Sequence, residues 1–329
     1  MPVMTPVLGK SLDIYLLKAT TYGVAPTGNY VKTPVYSFAL AAARPLEADP
    51  ILGVARDNSR DATPPAPGLT SHSGSVEVPL DLRHIGYWLG LVFGAPVTTE
   101  DTDVFTHVFE SGKSVIPDWT VVQQVAAAGG AEYRRHVGVV ARTLAFALGQ
   151  EAGYRRLTVE LGGRNASKVV SAGTGTVPAM LDRSPFPAAK GVLKLGGVTI
   201  ANLLGFEGTY DNAFEEERLV DESDMVSGWG PGENEASFTG NLRLRYTSDT
   251  FEALGESAAP QAITLEYKTS DDMLLRIEMP SVTFERAGLP VNGPGRIEQQ
   301  VGFRAAQTDA EPMLTVTLIN DVEDYAEAA

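Results

Sequence analysis

Apolar and polar positions alternate along the chain at the spacing of half-buried strands. The stretch Leu157-Thr158-Val159-Glu160-Leu161 puts every second side chain on an apolar face, and Leu314-Thr315-Val316-Thr317-Leu318 repeats the pattern. Phe146 and Phe303, each in an earlier apolar run, precede these stretches by the same 11 residues. A chain that spells one strand pair twice reads as a duplicated domain. Further matches support that reading: Phe38 with Phe206, Gly74 with Gly240, Leu89 with Leu254, and Pro117 with Pro280. The separation between matched residues falls smoothly from 168 to 157 along the chain, as small loop deletions would produce.

The clearest helix lies after the strand restarted by Ser73-Gly74-Ser75-Val76-Glu77-Val78-Pro79. Leu82, Ile85, Leu89 and Val92, with Trp88, share one face; Asp81 suits the N-cap and Gly94 the position past the end. Gly86 sits inside that helix at a cost of about 1 kcal/mol, which implies close packing against something flat. A shorter helix is expected at residues 249–254, stopped by Gly255. Residues 44–72 and 209–235 read as long irregular loops, and loops of that length inside compact domains usually carry function. Residues 162–190, rich in Gly, Ala, Ser and Pro, read as a linker. The expected fold is therefore mainly β: two tandem, duplicated sandwich or barrel domains, residues 1–175 and 176–329, each with one short helix and a long loop.

Composition adds limits. The 329 residues include no cysteine, which excludes disulfides and thiolate metal sites. No apolar run approaches the ~18 residues of a membrane span. The start, Met1-Pro2-Val3-Met4-Thr5-Pro6, lacks the features of a signal peptide. Net charge is −15, all of it in the second half: residues 1–178 balance 15 Lys and Arg against 15 Asp and Glu. Such a chain does not hold nucleic acid by neutralising phosphates.

Catalytic signatures are missing. There is no His-Glu-x-x-His and no Gly-x-Ser-x-Gly; Gly112-Lys113-Ser114 lacks the leading Gly of a phosphate loop, because residue 107 is His. The scattered His72, His84, His107 and His136 predict no metal site and read as surface or strand-face residues. Neither catalytic residues nor a cofactor are expected. The acidic cluster Glu215, Glu216, Glu217, Asp221, Glu222 and Asp224 follows no calcium-loop pattern and reads as a solvated loop or a contact with a basic surface.

Three stretches carry a resemblance: Thr21-Tyr22-Gly23-Val24-Ala25-Pro26, Gly74-Ser75-Val76-Glu77-Val78-Pro79-Leu80-Asp81 running into the Leu89-Gly90 helix, and Pro290-Val291-Asn292-Gly293-Pro294-Gly295. In these the chain resembles the double-domain tail tube proteins of long-tailed, siphovirus-like bacteriophages. The resemblance implies a structural virion protein, assembled in the host cytoplasm, whose rings stack into a hollow tail. Its implied partners are further copies of itself, the tape-measure protein, and the tail terminator and tail-tip proteins. DNA would pass through without specific binding. Two similar domains per chain suit three copies giving six similar positions in a closed ring. If each domain lends about four strands to a shared barrel of about 24, the backbone diameter is roughly 50 Å and the bore about 40 Å, wide enough for duplex DNA.

Alternation places Glu77, Thr158, Glu160, Glu298, Thr315 and Thr317 on polar strand faces, as candidates for a net-acidic lumen. The loops 44–72 and 209–235, with the acidic cluster, are the candidates for stacking ring on ring, with Arg134-Arg135 or Arg155-Arg156 of the next ring as their counterpart. Two other classes compete. A β-rich tail adhesin would expose clustered aromatics on loops, where only Trp229 is expected. A glycoside hydrolase would need two of the carboxylates at a fixed separation.

Overall fold

The computed structural model describes residues 7–52, 59–127, 129–173, 180–220, 223–291 and 293–325. It is mainly β, with helices α1 (Ile85–Phe93) and α2 (Thr250–Ser257). The strand Gly130–Gly149 belongs to two sheets at once. Its first half lies between Trp119–Ala127 and Asn165–Val169, and its second half between Arg156–Gly162 and Leu203–Asp211. Apolar side chains from both sheets and α1 form one continuous core that includes Ile14, Val76, Trp88, Leu144, Val159, Leu242 and Val316.

The pairings in the first half have counterparts in the second. Asp13–Lys18 pairs with Trp119–Ala127, as Val192–Leu195 pairs with Gln261–Ser270. Trp119–Ala127 forms a hairpin with Gly130–Gly149, as Gln261–Ser270 does with Met273–Phe284. Ser71–Pro79 pairs with Arg156–Gly162, as Ser237–Arg245 pairs with Glu298–Ala306. On its other side Ser71–Pro79 carries Ser37–Phe38 and Ala41–Ala43, as Ser237–Arg245 carries Leu203–Asp211. The hairpin Val97–Asp101 and Val104–Glu110 has no counterpart; α2 ends three residues before its next strand. That extra hairpin, turned through positive φ at Thr102 and Asp103, takes the C-terminal strand Thr315–Asn320 as its neighbour.

This order corrects one expected equivalence. The strand containing Leu157 pairs with Ser71–Pro79, whereas the one containing Leu314 pairs with Met273–Phe284 and Val104–Glu110. By its neighbours, the Leu157 strand corresponds to Glu298–Ala306, not to Leu314. Phe38 faces Val76, two residues after Gly74, and Phe206 faces Leu242, two residues after Gly240.

Helix α1 is buried along its whole length. The Tyr325 ring lies against Gly86, where a Cβ would stand 2.4 Å from it, so the flat neighbour expected from the sequence is an aromatic face. Asp81 caps the turn before α1: its carboxylate accepts from the backbone of Arg83 and His84. Gly94 closes α1 with φ 80°. Gly255 does not stop α2, which runs on to Ser257; a Cβ there would meet the Glu285 carbonyl at 2.6 Å, so this glycine serves a close approach. The linker reading of 162–190 also needs correction. Asn165–Val169 is a strand, and Phe186 is buried and bonded through its backbone to Leu80 and Arg155.

Candidate assembly surface

Eight strands run side by side across the middle of the chain, in the order 37–43, Ser71–Pro79, Arg156–Gly162, the second half of Gly130–Gly149, Leu203–Asp211, Ser237–Arg245, Glu298–Ala306 and the end of Met273–Phe284. One face is packed by Val76, Val159, Leu144, Phe206, Leu242 and Val301. The other is open. One register row on it reads Ser37, Glu77, Thr158, Ala145, Thr209, Thr239, Arg304 and Thr283.

Glu77, Thr158, Glu160 and Glu298 all belong to this open face. Thr315 and Thr317 do not join them: they face Glu278 and Arg276 on one side and Glu110 and Val108 on the other, in a different part of the sheet network. Alternation identified their polarity but not their place within the sheet. Nor is the open face uniformly acidic. Glu207, Asp211 and Asn241 share it with Arg156, Arg243 and Arg304, and Arg156 pairs with Glu77 at 3.2 Å while stacking over Tyr36. Sequence reasoning gave Arg156 to the stacking contact and missed the others, although the alternation of Phe206, Gly208 and Tyr210 with Glu207 and Thr209 carries the signal.

The two long loops are hairpins. Leu46–Glu47 pairs with Ala66–Pro67, and Phe214–Glu217 with Gly228–Pro231. Their bases meet within one chain: Asp224 accepts from Thr70 at 2.8 Å and bridges Arg44 at 3.1 Å, while Arg218 donates to the Thr70 carbonyl. The bond from Thr70 is the main influence holding the Asp224 carboxyl below its ordinary pKa. Glu215, Glu216 and Glu217 are exposed on the second hairpin; Asp221 and Glu222 lie outside the described residues. Trp229 is not a free loop aromatic. Its ring fills the space over Gly162 and its Nε1 donates to the Gly163 carbonyl. Of the arginines expected to face this cluster, Arg155 is buried and bonded to Gly149 and Ala188, which removes it; Arg134 is exposed.

The histidines are buried rather than on the surface. His72 Nε2 and His136 Nδ1 lie 2.9 Å apart, with the rings stacked and Phe38 edge-on to His136. Burial pushes His72 down to about 4 and His136 to about 3, so both are neutral near pH 7 and share one proton-donating bond. Among the described residues, no group of three or more His, Asp and Glu side chains is arranged to hold a metal ion.

The surface is thus a wide polar sheet face in a chain that also carries two hairpins tied together at their bases. A family model described as phage tail tube protein matches residues 9–305. The chain belongs to the phage tail tube protein family. It is a structural component of the tail tube of the virion, and its family is not enzymatic. No curated protein sequence matches it.

Proposed function

We propose that the chain is a double-domain tube protein of the siphovirus type, three copies of which close into a ring with six similar positions. The two domains are residues 1–175 and 176–329. The observation that carries this reading is the repeated order of strand pairing, in which the second half of Gly130–Gly149 joins one half of the chain to the next through Leu203–Asp211. Four strands from each half, in three copies, make a barrel of about 24 strands and roughly 50 Å backbone diameter.

In this reading the open face lines the bore. Carboxylates such as Glu77, Glu160 and Glu207 lie among Arg156, Arg243 and Arg304, so phosphates meet no continuous cationic track and the genome slides. The lumen candidates of this proposal are the four expected residues that share the face, with Thr209, Thr239 and Asn241 added. The hairpins 46–67 and 214–231 project for contact between stacked rings. The tape-measure protein fills the bore before the genome, and terminator and tip proteins close the ends.

Negative-stain electron microscopy of the concentrated purified protein tests this reading. Hollow tubes or stacked rings are the expected result. Discrete particles without a bore, or rings of six whole chains, would overturn the three-copy ring.

A further inference from the structure

The internal junction between the two halves is a template for contact between copies. There Leu144 faces Tyr210, Ala145 faces Thr209 and Leu148 faces Phe206. By their neighbours, the second-half counterpart of Gly130–Gly149 is Met273–Phe284 with its continuation to residue 291. The first-half counterpart of Leu203–Asp211 is the segment 37–43. Among the described residues each has one free edge. Segment 37–43 pairs with Ser71–Pro79 alone, and beyond Val282, which also faces Gln261, the end of Met273–Phe284 pairs with Glu298–Ala306 alone. We propose that residues 286–291 of one copy pair antiparallel with residues 38–43 of the next, Leu289 opposite Leu40 and Gly288 opposite Ala41. This rests on the ring reading above and specifies its contact.

Two anchors set the register. The first is a pair of glycines. A Cβ on Gly74 would stand 2.3 Å from the Ala39 carbonyl oxygen, and one on Gly240 2.0 Å from the Glu207 carbonyl oxygen. Ala39 therefore takes the place of Glu207, and Ala41 that of Thr209. The second anchor is a bulge. The register of Gly130–Gly149 against Arg156–Gly162 shifts between Ala141 and Thr143, leaving Arg142 as the extra residue. In the second half Phe284 faces Phe303, and Glu285 N–H donates to the Gly302 carbonyl at 2.8 Å. Glu285 in the place of Arg142 puts Ala287, Leu289 and Val291 where Leu144, Phe146 and Leu148 face the core. Ala287 already packs against that core.

The chemistry of the paired edge then agrees position by position. Ala287, Leu289 and Val291 meet Ala42, Leu40 and Phe38 on the apolar side. Pro290 falls opposite Ala39, just as Ala147 falls opposite Glu207 at the internal junction. Asn212 N–H donates to the Arg142 carbonyl, so hydrogen-bonded pairs alternate from there and the Ala147 pair is a non-bonded one. A proline in that place costs no ladder bond. The proposal also explains why residues 285–290 have no regular structure in the single chain, although residues 143–149 are strand. The first-half segment has its partner in the same chain; the second-half segment receives its partner from the next copy. Pairing both edges removes two templates for wrong association.

Disulfide trapping in assembled protein tests the register, and the chain has no cysteine of its own. Gly288→Cys with Ala41→Cys imitates the non-hydrogen-bonded pair Ala145 and Thr209, the closer type of cross-strand pair. Gly288 has open space at its Cβ position. The expected result is a reducible ladder ending at the copy number of one ring, formed about tenfold more efficiently than with Ala39→Cys or Ala43→Cys as partner. Preferential trapping at 39 or 43, or with Ala287→Cys in place of Gly288→Cys, overturns the register while leaving rings intact. Absence of rings in the unmodified protein overturns the ring reading and this proposal together. Hydrogen exchange on unmodified protein gives an independent reading. Amides 287, 289 and 291, the hydrogen-bonded positions of the proposed pairing, should gain protection on assembly, and continued fast exchange there in tubes overturns the pairing.

Discussion

The aromatic ring of Tyr325 lies flat against Gly86, the glycine in the middle of buried helix α1. The Tyr325 hydroxyl donates to the Arg83 carbonyl and accepts from Asn320, and its ring meets Tyr87 and His107 edge-on. The end of the chain is thereby locked onto a helix of its beginning. Gly86→Ala gains about 1 kcal/mol of helix propensity but drives a methyl group into that ring, so net stability should fall by about 2 kcal/mol. Thermal denaturation checks this. Tyr325→Ala in the same chain should abolish the penalty of the alanine, and additive losses would show that the two residues do not interact.

Gly74 and Gly240 make the same close approach to a neighbouring strand, each in its own half. Alanine at either position must push two backbones apart, which costs about 3 kcal/mol or more because neither backbone can rotate away. Denaturant unfolding of the two variants should give similar losses. A large loss at one position and none at the other would argue against equivalent halves.

How much of this was legible in the residues differs from element to element. Alternation in 157–161 and 314–318 revealed two strands, because a half-buried strand writes its own period. It did not reveal their partners, since Leu157 and Leu314 look alike locally but are held by different neighbours. The same limit put Thr315 and Thr317 with Glu77 and Glu160: polarity of a face is a local property, and a strand's neighbours within the sheet are not. The helix at Gly86 was legible down to its flat neighbour, because a mid-helix glycine has a known cost. The hairpins 46–67 and 214–231 read as loops because their strands are short and carry no apolar period. The His72 and His136 pair spans 64 residues and left no mark in either local pattern.

That pair gives the protein an acid-sensitive element. Both histidines are pushed well below the ordinary value near 6.5, to about 4 and about 3. In the unfolded chain they take up protons as pH falls through 6.5, and in the folded chain they do not until far lower. Stability should therefore fall between about pH 6.5 and pH 4, by up to about 1.4 kcal/mol per pH unit for each histidine. Melting temperature against pH measures it, and the double variant His72→Asn with His136→Asn should flatten the slope. An unchanged slope would assign the acid sensitivity to carboxylates instead.

Glu215, Glu216 and Glu217 stand on a hairpin that is held to its own chain at the base by Asp224, Thr70 and Trp229. Deleting residues 215–226 should leave folded rings that no longer stack. Electron microscopy of the variant decides between that outcome and tubes of normal length, which would remove the hairpin from the stacking contact.

A cross-section of the assembled tube by electron cryomicroscopy tests the ring most directly. The expected map has threefold rotational symmetry, six similar lobes, and an inner wall of about 24 strands roughly 50 Å across. Six whole chains per ring, or lobes whose strands follow two unlike orders around the bore, would contradict the account.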